Sequence, residues 1–483
     1  MSSLLLTLGL LGLALAVNAD LRPEICTNIS DTISGASNTY YLGSFGYTKG
    51  IAHWAASSTQ QPLCVVEPAT AEDVGKILKI VGSTQTPFAV KGGGHTSNPG
   101  FSSTEGVHIS LARFAGVQYD ASSEIAVVGA GAVWDTVYEV LEEHGRMVVG
   151  GRVTGVGVAG FTLGGGYSWL SNQRGLTVDN LQAYELVKPT GEVAQVTQDS
   201  DPDLFFALKG GLNNYGIVTK FYLDTFPQGQ VWGGLITFTA DQLDKVDAAT
   251  VKFAKEVTDP KAAIITTYNF LLGSPGVSQL MFYDGPEPPA GIFDDFLDIP
   301  HFTKDVDTRS FLSLVLAAPA NATAGQRGYF NTVPLIQNTE AVVAAVRNES
   351  KFWGSKLSWA SGTFISYDVE PFLPSILSYG AEGSSSYPPK RDVAYSPLNI
   401  YWAWAFESAD DTFYDAIKQS SAQLTAVAKA DGQDVDGAAP YVNYALYDTK
   451  VEDIYGDNLG KMREVKKRVD PAGVMALAGG FKI

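Results

Sequence analysis

Two glycine-rich runs constrain this chain more than any other feature of its sequence. Lys91-Gly92-Gly93-Gly94-His95-Thr96-Ser97 follows a short apolar stretch. The run Gly150-Gly151-Arg152-Val153-Thr154-Gly155-Val156-Gly157-Val158-Ala159-Gly160 leads into Gly164-Gly165-Gly166. Glycine lets a backbone take positive φ and approach a ligand with no Cβ in the way. Successive backbone N–H groups then form a concavity that suits a pyrophosphate. Taken singly, such a run is also compatible with a plain tight turn; two in one half of a chain point to a diphosphate cradle.

The second run also spells G-x-G-x-x-G from Gly155 to Gly160, with Asp179 further on, the pattern of a dinucleotide-binding fold. That reading requires the third glycine to open a helix. Gly164, Gly165 and Gly166 follow within a turn, and each costs about 1 kcal/mol against alanine in a helix. No stable crossover helix is expected there, and the match is set aside.

Composition narrows the class. The 483 residues carry 33 basic and 51 acidic side chains, a formal charge of −18, and 11% are aromatic. Disorder needs few aromatics, so the chain is globular, and its length predicts more than one domain. An acidic chain with no basic run excludes nucleic acid as a partner. Two cysteines exclude a disulfide scaffold and a cysteine-built zinc site. No G-x-S-x-G or H-E-x-x-H motif supports hydrolysis. His53, His108, His144 and His301 fall in no metal or triad pattern and read as structural.

Residues 1–19 are uncharged and apolar from Leu4 to Val17, with Val17 and Ala19 small enough for a signal-peptidase site before Asp20. A membrane anchor is the competing reading, but the run is shorter than the ~20 residues a span needs. Secretion is therefore expected, with no membrane span. An oxidising compartment favours a Cys26–Cys64 disulfide over two free buried thiols. Sequons at Asn28, Asn321 and Asn348 fit the same route.

Residues 63–66, 88–91, 108–111 and 125–128 read as strands. Between the first two, Thr70 caps a helix with Val74, Ile77, Leu78 and Val81 on one face and Asp73 completing a capping box. Residues 133–143 form a helix ending at Gly145. Strands alternating with helices predict an α+β or α/β domain. Beyond about residue 228 the strand candidates 234–238, 266–272, 279–283 and 400–406 are longer. In the last, Trp402, Trp404 and Phe406 share one face, as in an antiparallel sheet exposed on one side.

The two glycine runs, then Gly175-Leu176-Thr177-Val178-Asp179-Asn180, Asp203 to Gly211, Gly216-Ile217-Val218-Thr219, Tyr441-Val442-Asn443-Tyr444, Tyr455-Gly456-Asp457-Asn458 and Val469-Asp470-Pro471 occur in one order. In that order the chain resembles secreted FAD-linked oxidases of the berberine bridge enzyme-like and 6-hydroxynicotine oxidase-like groups of the vanillyl-alcohol oxidase superfamily. The resemblance implies an α+β, two-domain fold. A PCMH-type FAD domain would span 20–228, a substrate domain with an antiparallel sheet backed by helices 229–431, and a C-terminal segment, 432–483, would return to the FAD domain.

The resemblance further implies that His95 bonds covalently to the flavin. Relatives with a second, cysteine link have it where this chain has Val153, so a single covalent bond through His95 is expected. Lys91, Gly92, Gly93, Gly94, Thr96, Ser97, Gly155, Gly157 and Gly160 would cradle the diphosphate, with Ile217 and Val218 at the adenine end. Val156 matches a gatekeeper position for oxygen, or simply packs. Tyr444 and Tyr441 match the active-site tyrosines, with Tyr444 preferred as base and Asn443 near flavin or substrate; either tyrosine could instead only pack between domains. A tyrosine of ordinary pKa near 10 is a poor base, so a positive neighbour or the flavin itself must lower it.

The implied reaction is removal of a hydride from a small organic substrate, with O2 as electron acceptor and H2O2 as product. An aromatic or polyketide-like metabolite is favoured because the sugar oxidases commonly carry the cysteine link. A carbohydrate oxidase and a flavin-binding protein without turnover are the alternatives. Nothing in the sequence specifies an oligomer, and a monomer is the expectation.

Overall fold

A computed structural model describes residues 23–271 and 273–483. The predicted signal segment, 1–19, lies outside the described residues. Three main sheets organise the chain. The first contains β1 (Asn38–Tyr40), β2 (Cys64–Glu67), β3 (Phe88–Lys91) and β4 (Val107–Ser110), ordered β1-β2-β4-β3, with β4 parallel to both β2 and β3. The helix Ala71–Thr84 joins β2 to β3, and Val74, Ile77, Leu78 and Val81 are its buried face.

The predicted capping box forms only by half. Thr70 Oγ1 accepts from the Asp73 N–H, but the Asp73 carboxylate turns away to Ser34, Ser37 and Lys76. That exchange bonds the helix to the N-terminal segment. The same segment is anchored by a Cys26–Cys64 disulfide, which links the helix Glu24–Thr32 to β2.

The second sheet follows with β5 (Val117–Asp120), β6 (Ile125–Gly129), β8 (Leu181–Val187), β9 (Val193–Thr197) and β10 (Ile217–Asp224), in the order β5-β6-β10-β8-β9 and antiparallel throughout. A two-residue strand, β7 (Arg146–Met147), pairs with β11 (Phe226–Pro227).

The third sheet contains β12 (Val231–Thr239), β13 (Ala262–Leu271), β14 (Ser274–Tyr283), β15 (Thr303–Arg309), β16 (Arg327–Leu335), β17 (Gly362–Val369) and β18 (Ser396–Trp404). Its order is β15-β12-β14-β13-β17-β18-β16, all antiparallel. Helices Leu243–Glu256, Glu340–Ser358 and Asp410–Ala430 cover one face, forming a core separate from that of the two smaller sheets.

The expectation of one solvent-exposed face fails for β18, all nine residues of which are buried. Trp402 packs against Trp353, and Trp404 stacks on Phe413 at 4.4 Å, beneath the helices. Tyr401, on the opposite face, meets Trp54 from the glycine-run half of the chain. Each face of the strand is covered by a different part of the molecule. Phe406 lies past the strand end and is exposed.

Among the described residues no helix is long and apolar enough to cross a membrane, and no cluster of metal-ligating side chains occurs.

Candidate active site

The two glycine runs meet back to back. A Cβ on Gly93 would lie 2.5 Å from the Gly157 Cα, and one on Gly157 would lie 2.7 Å from the Gly93 Cα, so neither position tolerates a side chain without displacing the other loop. Their contact forms one wall of a cavity of about 1320 Å³, whose other wall is the face of the seven-stranded sheet turned away from its helices. The predicted residues Gly92, Gly93, Gly94, His95, Thr96, Ser97, Val153, Val156, Gly157, Gly160, Ile217, Val218, Tyr441, Asn443 and Tyr444 all line it.

Two predicted cradle residues do not reach the cavity. The Lys91 Nζ turns behind its loop and donates to the Ala52 carbonyl at 2.8 Å. Burial, with Lys49 nearby, pulls its pKa down to about 8. The Gly155 N–H donates to Asp135 Oδ2, and the residue faces Asn321 rather than the cavity. Both therefore shape the loops from behind.

The second glycine run opens only the short helix Val158–Leu163, not the stable crossover helix a dinucleotide fold needs, as expected. Gly164 to Gly166 stop it after fewer than two turns, two of them at positive φ. Asp179, the residue a dinucleotide fold would direct to a ribose, is consumed by Arg391 at 2.7 Å.

His95 is held by stacking. Trp54 lies over its ring at 4.4 Å and 15°, and the Trp54 N–H donates to the Gly94 carbonyl at 3.0 Å. The His95 Nε2 is buried without a partner, as is the Trp54 Nε1. Burial pushes the imidazole pKa down to about 4, so the ring is neutral and nucleophilic at pH 7. A buried ring nitrogen without a partner, on a residue that lines the cavity, is open to bond an occupant. Together with a side-chain-free loop contact, it fits FAD.

At the sheet side, Arg152, Glu370 and Tyr444 form a buried triad. Arg152 Nη2 donates to Glu370 Oε2 at 2.7 Å and to the Tyr444 hydroxyl at 3.0 Å, and that hydroxyl donates to Glu370 Oε1 at 3.3 Å. A positive neighbour, one of the two means of lowering the Tyr444 pKa, is thus present. Burial and the Glu370 charge nevertheless raise the phenol well above its ordinary value, so Tyr444 keeps its proton. Tyr441 is raised to about 12, by burial; its hydroxyl accepts from the Gly166 N–H and from Asn443 Nδ2.

Asp368 stands beside this triad, with Asn399 Nδ2 donating to its Oδ2 at 2.9 Å and its Oδ1 without a partner. Burial, then the Glu370 charge, raises its pKa to about 7. Trp54, Arg152, Asp368, Glu370 and Asn399 escaped the sequence reading. A signal existed for two of them. In 364–370, Phe364, Ser366, Asp368 and Glu370 alternate with Ile365, Tyr367 and Val369, which places both carboxylates on one face of a strand.

A cavity between paired glycine loops and a helix-backed antiparallel sheet, lined by a neutral histidine and by a carboxylate–arginine–tyrosine cluster, defines a flavin-dependent oxidoreductase. Residues 62–197 match the family model described as FAD binding domain, and 440–478 match that described as berberine and berberine like. The chain is 32% identical to the FAD-dependent monooxygenase tpcD of Cochliobolus heterostrophus, over 98% of this chain and 97% of that protein.

Its fold is that of 6-hydroxy-D-nicotine oxidase from Arthrobacter nicotinovorans (TM-score 0.77, 19% identity, covering 92% of this chain and 98% of that one). It is also that of a carbohydrate oxidase from Microdochium nivale (TM-score 0.75, 19% identity, covering 95% and 99%). The chain belongs to the berberine bridge enzyme-like family of FAD-linked oxidoreductases.

Proposed function

We propose that the protein is a secreted FAD-linked oxidase with a single covalent bond between His95 and its flavin. It oxidises a small organic metabolite and reduces O2 to H2O2. The observation that carries this reading is the unpartnered His95 Nε2 in a neutral, stacked ring that lines the same cavity as Asp368. Bound there, FAD supplies the hydride acceptor and the relay of electrons to oxygen.

The residues of the chain handle the proton. Asp368, whose proton affinity lies near neutrality, takes the proton from the substrate hydroxyl or amine as hydride leaves the adjacent carbon. Tyr444, keeping its proton, is a hydrogen-bond donor rather than the base, and Tyr441 with Asn443 braces the end of the second glycine run. Overall the substrate loses two electrons and two protons, and dioxygen gains both.

The glycine runs, with Ile217 and Val218, hold the FAD diphosphate and adenine. Residues 20–228 and 432–483 form the FAD domain and 229–431 the substrate domain. Residues 1–19 direct secretion of a monomer, and the disulfide and the exposed Asn28, Asn321 and Asn348 suit that route. Val153, where a cysteine would give a second flavin link, supports a metabolite over a sugar as substrate.

Acid precipitation of purified protein tests the covalent bond: yellow colour stays in the wild-type pellet and is released from His95→Ala. Colour released from wild type refutes the link. One peroxide per oxidised substrate separates an oxidase from the oxygen insertion named for the tpcD relative.

A further inference from the structure

Residues 52–57 run alongside the first glycine run as a splint, bonded to it at successive positions. The Ala52 carbonyl accepts from Lys91 Nζ at 2.8 Å, the His53 Nε2 meets the Ser102 Oγ at 2.9 Å, and the Trp54 N–H donates to the Gly94 carbonyl at 3.0 Å. On its other side the splint is bonded to the start of β16. The Gly325 N–H donates to the Trp54 carbonyl at 2.8 Å, the Ala56 N–H to the Gln326 carbonyl at 2.8 Å, and Ser57 Oγ to the Gly328 carbonyl at 2.9 Å.

From this splint the Trp54 indole reaches His95 and lies over its ring at 4.4 Å and 15°. The indole is itself gripped from the seven-stranded sheet, by Phe330 at 5.8 Å and Tyr401 at 5.0 Å. The other histidines are packed differently. His53 and His108 meet edge-on at 85°, and His144 is tilted by 40° against Tyr119. Among the described residues, His95 is the one histidine stacked face to face on an aromatic ring.

The lone pair of an imidazole nitrogen lies in the plane of the ring, so whatever fixes the plane fixes the direction in which the nitrogen can bond. His95 Nε2 has no hydrogen bond to aim it. A bond from the ring to its own backbone moves with the loop and gives no outside reference. The stack supplies that reference, because turning the imidazole out of its plane would break the contact with a ring that cannot follow. Trp54 carries a second sign of the same role. Its Nε1 is buried without a partner and the residue lines the cavity, whereas an indole used only for packing ordinarily finds an acceptor.

We propose that Trp54 is a positioning residue for flavin attachment: its indole fixes the plane of the His95 imidazole and so aims Nε2 at the cofactor. This rests on the covalent bond proposed above and deepens it. In that step a C–H bond of a methyl group on the flavin ring breaks and a C–N bond to His95 Nε2 forms. The methyl hydrogen and the imidazole N–H hydrogen leave as two protons with two electrons, which reach O2 through the flavin and give H2O2. Trp54 exchanges neither proton nor electron and acts only through the ring it holds.

The test purifies Trp54→Phe, Trp54→Leu and Trp54→Met beside the wild type and incubates each with excess FAD. Samples are precipitated with acid at intervals. Flavin kept in the pellet measures attachment, and total bound flavin before acid shows that the site is folded. Trp54→Phe, which keeps a stacking ring, should attach flavin close to the wild-type rate. Trp54→Leu and Trp54→Met should bind FAD yet attach it about tenfold more slowly or worse, the effect of losing a near-attack orientation. Should one aliphatic variant fail to bind FAD, the other decides. Attachment by an aliphatic variant at the wild-type rate overturns the proposal, as does a Phe variant as slow as the aliphatic ones. Loss of FAD binding by both aliphatic variants makes Trp54 a structural residue and overturns it equally. Colour released by acid from the wild type, by contrast, sinks the His95 bond itself and this proposal with it.

Discussion

Position 444 places a buried hydroxyl between a cation and an anion, and the direction of its proton affinity follows from burial and the anion. Arg152 favours the phenolate of Tyr444, but burial and then the Glu370 charge outweigh it. The residue left to accept a proton near neutral pH is Asp368. Its carboxylate is the active form, and its pKa is raised to about 7, so kcat/KM should rise with pH through about 7. Asp368→Asn should remove that limb and lower kcat/KM by about 10²- to 10⁴-fold, the usual contribution of a positioned base. Tyr444→Phe should keep the limb, and a pH–rate profile of each variant decides between the two.

At the scale of single elements, the helix Ala71–Thr84 was legible from its apolar spacing and its Thr70 cap. The use of Asp73 was not, because its partners Ser34 and Ser37 are brought in by tertiary structure. Burial alone would raise this carboxyl, but hydrogen bonds from Ser34, Lys76 and Ser37 pull it down to about 2. Its stabilisation is thus fully present above the unfolded value near 4 and is lost as pH falls toward about 2. Asp73→Ala should cost about 2–3 kcal/mol at pH 7, read from urea unfolding, with the difference from wild type shrinking below pH 4. In β18 the tryptophans announced a strand, yet local alternation could not reveal that both faces would be covered.

Across the whole molecule, the N-terminal segment is bound to β2 by a disulfide closing 38 residues of sequence separation. Loop closure of that size corresponds to about 4 kcal/mol. Replacing Cys26 and Cys64 with alanine should lower unfolding stability by up to about that amount, visible as a lower urea midpoint, while FAD content in folded protein is retained. The net charge of −18 still speaks only against polyanionic partners.

The glycine runs, the histidine after the first of them, the tyrosines near the C-terminus and the α+β class were determined by the sequence itself, because each depends on local backbone demands or on motifs contiguous in the chain. The Arg152–Glu370–Tyr444 triad, the stacking of Trp54 on His95 and the pairing of Asp368 with Asn399 were decided only by the tertiary structure. Their members come from distant parts of the chain, and neither spacing nor composition encodes which strand lies beside which. Strand order and register brought them to one cavity face, where burial altered their charges and so their chemistry.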